Sequence, residues 1–107
     1  MNRGDIVTVA LQGDHGKPCP ALIVQTDLLS NSALVAILPL TSFATDAPLI
    51  RVPIAAAPET GLSVQSFAML DRITTAPRDR VGARIGRADA ATMLGVNRAL
   101  AVFLGLA

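Results

Sequence analysis

The chain has no tryptophan and no tyrosine, and phenylalanine occurs only three times in its 107 residues. Proteins that bind single-stranded RNA on a stacking surface use exposed aromatic rings, so an RNA-recognition-motif or cold-shock domain is disfavoured. One cysteine and one histidine are present. A lone thiol forms no internal disulfide, and the two residues are too few for a structural zinc site, so the sequence predicts neither a metal nor another cofactor.

Long apolar segments and a strong net charge are also lacking. The longest apolar run, residues 33–40, is far shorter than the roughly 18 residues of a membrane span. The first five residues carry charges, and no apolar centre of a secretion signal follows them, so we expect a cytoplasmic protein. A formal charge of +1 gives no long-range attraction for nucleic acid, and any such contact has to be local.

Apolar residues, by contrast, are abundant: they make up 51% of the chain, against 16% charged residues. A chain of this length supports one domain, residues 1–107, with a single modest core. The apolar content exceeds what such a core absorbs, and we interpret the surplus as a subunit interface.

The hydropathy pattern predicts a mainly β protein. Residues 5–11 alternate in polarity, which is typical of a strand with one buried face, and the apolar runs at 21–25 and 33–40 predict buried central strands. A proline makes residues 49–54 an edge strand, and residues 63–73 give one more strand or a bent pair.

Glycines and prolines are concentrated in residues 11–20. They predict an exposed loop that carries His15 and Lys17, and functional residues often lie on such loops.

A helix is predicted after the strands. Asp89 can cap its start, and Gly95 and Gly105 are expected to weaken it. Its apolar positions recur every three or four residues: Met93, Val96, Leu100, Phe103 and Leu104. Five or six short strands followed by one helix indicate a small, strongly curved antiparallel sheet or barrel that the C-terminal helix closes.

Four segments occur in an order known from one protein family. RGDIVTVAL is followed by GKPCPALIVQ, then by VAILPLTS and GLSVQSFAMLDRITT, and an amphipathic helix ends the chain. This arrangement resembles the MazF/PemK/Kid family of small ribonuclease toxins, whose members typically read RGD-I/V and then G-x-R-P-A/V-L-V/I-V. Each motif is short, but together they span nearly the whole chain.

The resemblance implies a CcdB/MazF-like fold, an SH3-like barrel with a terminal helix, in a homodimer that forms its RNA groove from both subunits. It also implies metal-independent cleavage of single-stranded RNA at short preferred sequences, and neutralisation by an antitoxin with an acidic, partly disordered tail. The family's catalytic arginine falls on Cys19, its threonine on Thr41, and an aspartate proposed to assist proton transfer on Asp71.

Cys19 departs from the family pattern where the chemistry needs a cation. RNA cleavage without metal requires a group that takes the proton of the 2′-hydroxyl, a group that protonates the leaving oxygen, and donors that stabilise charge on the phosphate. Arginine offers two aligned, permanently charged donors, which a thiol cannot replace. We therefore predict an attenuated or inactive ribonuclease. Two origins of the cysteine are open. The protein belongs to a natural lineage with weakened activity, or it carries a deliberate or selected arginine-to-cysteine change, which the intact surrounding motif favours.

Each catalytic candidate also has a simpler interpretation. Cys19 is an inert thiol or, with less support from its surroundings, a nucleophile. Thr41 donates to the scissile phosphate or only bonds to its own backbone. His15 acts as acid or base or is merely solvated, and Asp71 assists proton transfer or pairs with Arg72.

Arginines are concentrated between residues 72 and 87. They can follow an RNA backbone, dock the acidic antitoxin tail or form a solvated face. The residues that we predict to contact RNA are Lys17, Gln25, Ser42, Arg72, Arg78, Arg80 and Arg84.

Four functions compete at this stage. The first is an attenuated endoribonuclease toxin, and the second is a non-catalytic module of the same fold that binds antitoxin or RNA. The third, a gyrase poison of the CcdB type, is disfavoured because such proteins carry a tryptophan near the C-terminus and this chain has none. The fourth, an unrelated barrel that serves as a protein-interaction adaptor, leaves the four ordered segments unexplained.

Overall fold

The computed structural model describes residues 1–11 and 17–107. The strands and the helix in this part of the chain are β1 (Asp5–Ala10), β2 (Pro18–Ile23), β3 (Leu34–Thr41), β4 (Arg51–Ile54), β5 (Ser66–Met69), β6 (Thr74–Pro77), β7 (Val81–Arg87) and α1 (Ala90–Phe103). Short 3-10 turns lie at Asp27–Leu29, Leu70–Arg72 and Arg78–Arg80. The predicted mainly β architecture with a C-terminal helix is confirmed. No helix in the described residues is long and apolar enough to cross a membrane.

The strands form an antiparallel sheet in the order β4-β5-β3-β2-β1-β7, and β6 pairs with β3 beside β5. β3 is the central strand, with β2 along one edge and with β6 and then β5 along the other. β6 and β7 pair with different strands but are joined by only three residues, Arg78–Arg80, so the sheet curls strongly. Within the described residues no pairing joins β4 to β7, and the curled sheet is open rather than a closed barrel.

Two hydrophobic clusters pack on opposite sides of the curled sheet. On the helix side the fully buried members are Ile6, Leu22, Leu38, Ile54, Ala68, Leu70 and Val96. On the other side they are Val7, Val9, Ala21, Val35, Ile37 and Ala76. Because β1 contributes to both clusters, the prediction that it buries one face is wrong. The helix covers one face of β1 and the curl of the sheet covers the other.

β2 begins earlier than predicted, because Pro18–Pro20 pairs with the end of β1 instead of forming a loop. β3 pairs with β2 only at residues 21–23. Pro18 and Pro20 therefore lie where one edge of β2 has no neighbouring strand. Proline is tolerated there, because its lack of an N–H costs the sheet no hydrogen bond. The predicted loop is wrong for these residues, whereas His15 lies outside the described residues.

The second half of the sheet contains two strands, β6 and β7, outside the predicted ranges. β4 is an edge strand, as the sequence predicts. Of the two alternatives for residues 63–73, the single strand is observed, as β5; the turn Leu70–Arg72 follows it, and β6 lies beyond the predicted range. β7 is not predicted, because its glycines and arginines hide any alternation of polarity. Gly86 is required there, since a Cβ would come within 2.1 Å of the Thr60 backbone.

Helix α1 starts at its predicted cap. The Asp89 carboxylate accepts a hydrogen bond from the Thr92 N–H at 2.7 Å, and this bond lowers the pKa of Asp89. Val96 is the fully buried residue of the helix. Phe103 and Leu104, expected in the packed face, are the last residue and the C-cap of the helix and are 41% and 52% exposed.

The end of α1 is a Schellman motif. Gly105 has φ +75°, the Leu106 N–H donates to the Ala101 carbonyl at 2.7 Å, and the Gly105 N–H donates to the Val102 carbonyl at 3.1 Å. The prediction that Gly105 weakens the helix is therefore wrong. This glycine supplies the left-handed conformation that ends the helix.

Asp5, at the start of β1, ties the N-terminus to β7. Its side chain is 5% exposed and accepts hydrogen bonds from the Asn2 N–H at 2.7 Å, from Arg87 at 2.8 Å and from Arg84 at 3.1 Å. Burial by itself raises the pKa of Asp5, but the bonds from Asn2 and the two guanidinium groups outweigh it and lower that pKa.

We expect Asp5→Asn to reduce the free energy of unfolding at pH 7 by about 2 kcal/mol, the size of a hydrogen-bonded buried charge. Because the carboxyl pKa is lower in the folded than in the unfolded protein, this stabilisation is present above about pH 4 and is lost as the pH falls through the folded pKa. Denaturant unfolding of both proteins between pH 7 and pH 2 measures the difference, which should shrink at the acid end.

Asp79→Asn is the matched control, because Asp79 is an exposed carboxylate in the turn Arg78–Arg80. An equal loss of stability in this variant, or a loss in Asp5→Asn that does not change with pH, would contradict the role assigned to Asp5.

Candidate active site

Two prolines determine where the central strands part. The ladder between β2 and β3 ends at the pair Ala21 and Pro39, and the next residue of β2, Pro20, has no N–H with which to extend it. Continuing the same register by two residues places Cys19 opposite Thr41. The strands separate here and leave a cleft of about 350 Å³.

This Cys19–Thr41 cleft is bounded by the ends of β2 and β3 and by residues 62–66. Its lining residues are Cys19, Pro20, Leu40, Thr41, Ser42, Leu62, Ser63, Val64 and Ser66. None of these described residues carries a charged side chain. The structure thus brings together three of the predicted site residues, the thiol, the threonine hydroxyl and Ser42.

The polar groups at the cleft make local hydrogen bonds. The Cys19 thiol lies 3.8 Å from the carbonyl of the exposed Lys17. The Thr41 hydroxyl accepts from the Phe43 N–H at 3.1 Å, so the backbone bond considered for this residue is present. Since the hydroxyl acts there as acceptor, its own proton can still be donated to a ligand.

A second, larger cavity of about 560 Å³ lies beside the cleft. It is lined by Ala10, Leu11, Pro39, Asp71, Arg72, Thr74, Thr75, Pro77 and Arg80. Pro39 lines this cavity and Thr41 lines the cleft, and these two residues are about 7 Å apart along one face of β3. The larger cavity therefore brings together the predicted Asp71, Arg72 and Arg80 within reach of one extended ligand.

The position of Asp71 follows from the break between β5 and β6. The turn Leu70–Arg72 interrupts the segment that pairs with β3. The interruption lies beside Pro39, which offers no N–H to a partner. Asp71 pairs with Arg51 of β4, so the alternative of a pair with Arg72 is wrong.

Arg51 was missed by the sequence reasoning. The available signal was an arginine within the apolar run LIRVPI, where a charged side chain needs a partner. Which carboxylate would meet it could not be read from the pattern, because Arg51 and Asp71 are 20 residues apart.

Three other predicted residues lie away from both cavities. The Gln25 side chain makes three backbone hydrogen bonds, one to the connection between β2 and β3 and two to β3 itself. Arg78 donates to the Ser32 carbonyl at 2.6 Å, and Arg84 pairs with Asp5. The structure gives each of these side chains a bond that holds the fold.

Comparisons with known proteins agree with this architecture. Residues 2–104 match the family described as PemK-like, MazF-like toxin of type II toxin-antitoxin system. A protein of Mycolicibacterium smegmatis named Probable endoribonuclease MazF is 47% identical over 108 residues, which cover 100% of this chain and 99% of that protein.

Solved structures share the fold. One described as an endoribonuclease in complex with its cognate antitoxin, from a mycobacterial species, has a TM-score of 0.80 at 29% identity and covers 100% of this chain and 97% of its own. The Mycobacterium tuberculosis toxin MazF-mt6 has a TM-score of 0.83 at 23% identity, with 96% and 98% covered. The resemblance found in the sequence is confirmed: this chain belongs to the PemK-like, MazF-like toxin family of type II toxin–antitoxin systems.

Proposed function

We propose that this toxin is a metal-independent, sequence-preferring endoribonuclease of single-stranded RNA in the cytoplasm, and that Cys19 attenuates it. The observation that carries the proposal is the Cys19–Thr41 cleft, which has hydroxyl donors but no charged side chain among its described lining residues. Such a site can hold a phosphate but lacks the fixed cation that stabilises developing charge. The name of the M. smegmatis relative supports the same reaction.

The proposed chemistry divides between the two openings. The 2′-oxygen attacks the adjacent phosphorus as its hydroxyl proton is removed, and the bond from phosphorus to the 5′-oxygen breaks as that oxygen gains a proton. We assign proton uptake to Asp71 and a hydrogen bond to a phosphate oxygen to Thr41. Cys19 supplies only a weak S–H donor where the family has arginine, and His15 remains the proposed further acid or base.

We also propose that the toxin forms a homodimer and binds an antitoxin. Helix α1 and the residues that follow it carry apolar side chains that are each at least 41% exposed: Leu94, Val102, Phe103, Leu104 and Leu106. A second copy packed here would remove this surface from water. For the acidic antitoxin tail we propose the cations Arg72 and Arg80, and the structure of one relative contains its cognate antitoxin.

The second candidate function is a binding module that engages antitoxin or RNA without cleaving it. The same uncharged cleft favours it, because a site without a cation can bind a strand through Arg72 and Arg80 nearby and still leave the phosphate unactivated. The two functions differ in what happens when arginine is restored at position 19.

We expect Cys19→Arg to increase the rate of RNA cleavage about 100- to 1,000-fold, because one preorganised donor at the phosphate is worth about 3 kcal/mol. Cleavage of single-stranded RNA by both proteins, with and without a metal chelator, measures the rate. Growth arrest after induction from a tightly repressed promoter provides the cellular readout.

Cys19→Lys is the matched control, because it adds a charge without the two aligned donors of arginine, and we expect a smaller gain. If the folded Cys19→Arg protein neither cuts RNA nor arrests growth, the ribonuclease function is rejected and the binding module takes its place.

We expect Arg80→Gln to weaken RNA binding and Arg84→Gln to leave it unchanged. Arg80 lines the larger cavity, whereas Arg84 is engaged by Asp5. Loss of one phosphate contact should also reduce the slope of log affinity against log salt concentration by about 0.7 for a single strand. Fluorescence anisotropy at several salt concentrations, with an RNA blocked at its 2′ positions, measures the affinity and its dependence on salt. Equal weakening by the two substitutions would show that the larger cavity is not the RNA site.

A further inference from the structure

Arg51 is a charged residue within the apolar edge strand β4. Its side chain is only 15% exposed, and a permanently charged group in such surroundings is costly unless it is well bonded. Nη1 donates to the Ile50 carbonyl at 3.0 Å and to Oδ1 of Asp71. Nε is buried and, within the described chain, has no hydrogen-bond partner.

Stability alone does not account for an arginine at this position. A buried ion pair contributes little net free energy, and well-packed apolar residues in place of both partners are often at least as stable. The unsatisfied Nε adds a further cost. What the guanidinium provides, and an apolar side chain would not, is a fixed direction for the carboxylate that it holds.

Asp71 lies between Arg51 and the larger cavity. Its side chain is 36% exposed and lines that cavity. Oδ1 accepts from Arg51, and no group in the described residues donates to Oδ2, which leaves Oδ2 for a ligand. The turn that carries Asp71 is also anchored to the residue before β4 by a backbone bond, from the Leu70 N–H to the Ile50 carbonyl at 3.0 Å.

Without Arg51, the nearest cations that share the cavity with Asp71 are Arg72 and Arg80. A carboxylate released from Arg51 would turn toward them, since opposite charges attract strongly in a partly enclosed site. That movement would displace the proton acceptor and would also neutralise cations that face the RNA.

We propose that Arg51 is a positioning residue, which holds the Asp71 carboxylate in the one orientation that serves RNA cleavage. Arg51 does not contact the RNA and acts only through Asp71. The proposal rests on the proposed function, in which Asp71 takes up the proton of the 2′-hydroxyl.

The test is a double-mutant cycle in the Cys19→Arg protein, with Arg51→Gln, Asp71→Asn and both together. We expect Arg51→Gln to reduce kcat about 10- to 100-fold, the effect of a misplaced reacting group, and to change KM less than about threefold. Arg51→Lys should recover part of kcat, because it restores the charge. In the Asp71→Asn background, Arg51→Gln should cause no further loss.

Arg3→Gln is the matched control. Arg3 also donates to one backbone carbonyl, that of Val24 at 2.9 Å, and to one side chain, Asn97 at 2.6 Å, and neither partner lines the larger cavity. We expect a lower melting temperature with kcat unchanged. If Arg51→Gln behaves like Arg3→Gln, or if its effect on kcat is equally large with and without Asp71, Arg51 is only structural and the inference is wrong.

A second measurement does not depend on activity. Three-bond NMR couplings report the side-chain rotamer of Asp71, and we expect one rotamer in the unaltered chain and in Arg51→Lys, but averaging in folded Arg51→Gln. A single rotamer in Arg51→Gln would overturn the inference. If the rotamer is lost as expected while the Cys19→Arg protein cuts no RNA, Arg51 positions Asp71 and the proposed ribonuclease function is the part that fails.

Discussion

The hydrogen bonds of β3 are divided among three neighbouring strands, and the rest of the fold and the site depend on this division. β2 pairs with residues 37–39 on one edge, while β6 pairs with residues 34–37 and β5 with residues 40–41 on the other. Pro39 lies at the division and has no N–H for either edge. The turn with Asp71 occupies the break on one edge. On the other edge the ladder stops at Pro20 and opens the Cys19–Thr41 cleft. Pro20 and Pro39 each lack an N–H, and the ladders of β3 stop beside them. These interruptions place Cys19, Thr41 and Asp71, the three residues on which the proposed chemistry depends.

The segment by which the family is most easily recognised holds the sheet together and takes no part in the proposed chemistry. In RGD, Arg3 joins the end of β2 to the helix through Val24 and Asn97. Asp5 joins the N-terminus to β7 through Arg84 and Arg87. The proposed catalytic position, Cys19, by contrast, lies at the start of β2, which pairs there with β1 but not with β3, and it lines a cleft. We therefore expect that either an arginine or a cysteine can occupy position 19 on the same backbone, so that the substitution changes activity and leaves the fold unchanged.

Sequence patterns were reliable where the local signal and the packing agree. The apolar run of β3, the proline of the edge strand β4 and the Asp89 cap were each predicted and are observed. The sequence patterns failed where tertiary packing determines the local structure. Pro18 and Pro20 look like a loop but lie in a strand with one vacant edge. The glycines of β7 are typical of a turn, yet Gly86 lies in a strand, where the backbone of Thr60 leaves no space for a side chain. Gly105 ends the helix that it was expected to weaken.

The sequence by itself determined the family, the mainly β architecture, the C-terminal helix and the presence of cysteine at position 19, because these depend on residue identity and on spacing along the chain. Only the tertiary structure decided which predicted residues meet. It separated Arg72 and Arg80, which line a cavity, from Gln25, Arg78 and Arg84, which hold the fold. It also paired Asp71 with Arg51. The reason is physical: a buried or half-buried charge takes the partner that the strand register brings within hydrogen-bonding distance, and that register follows from how three strands share β3.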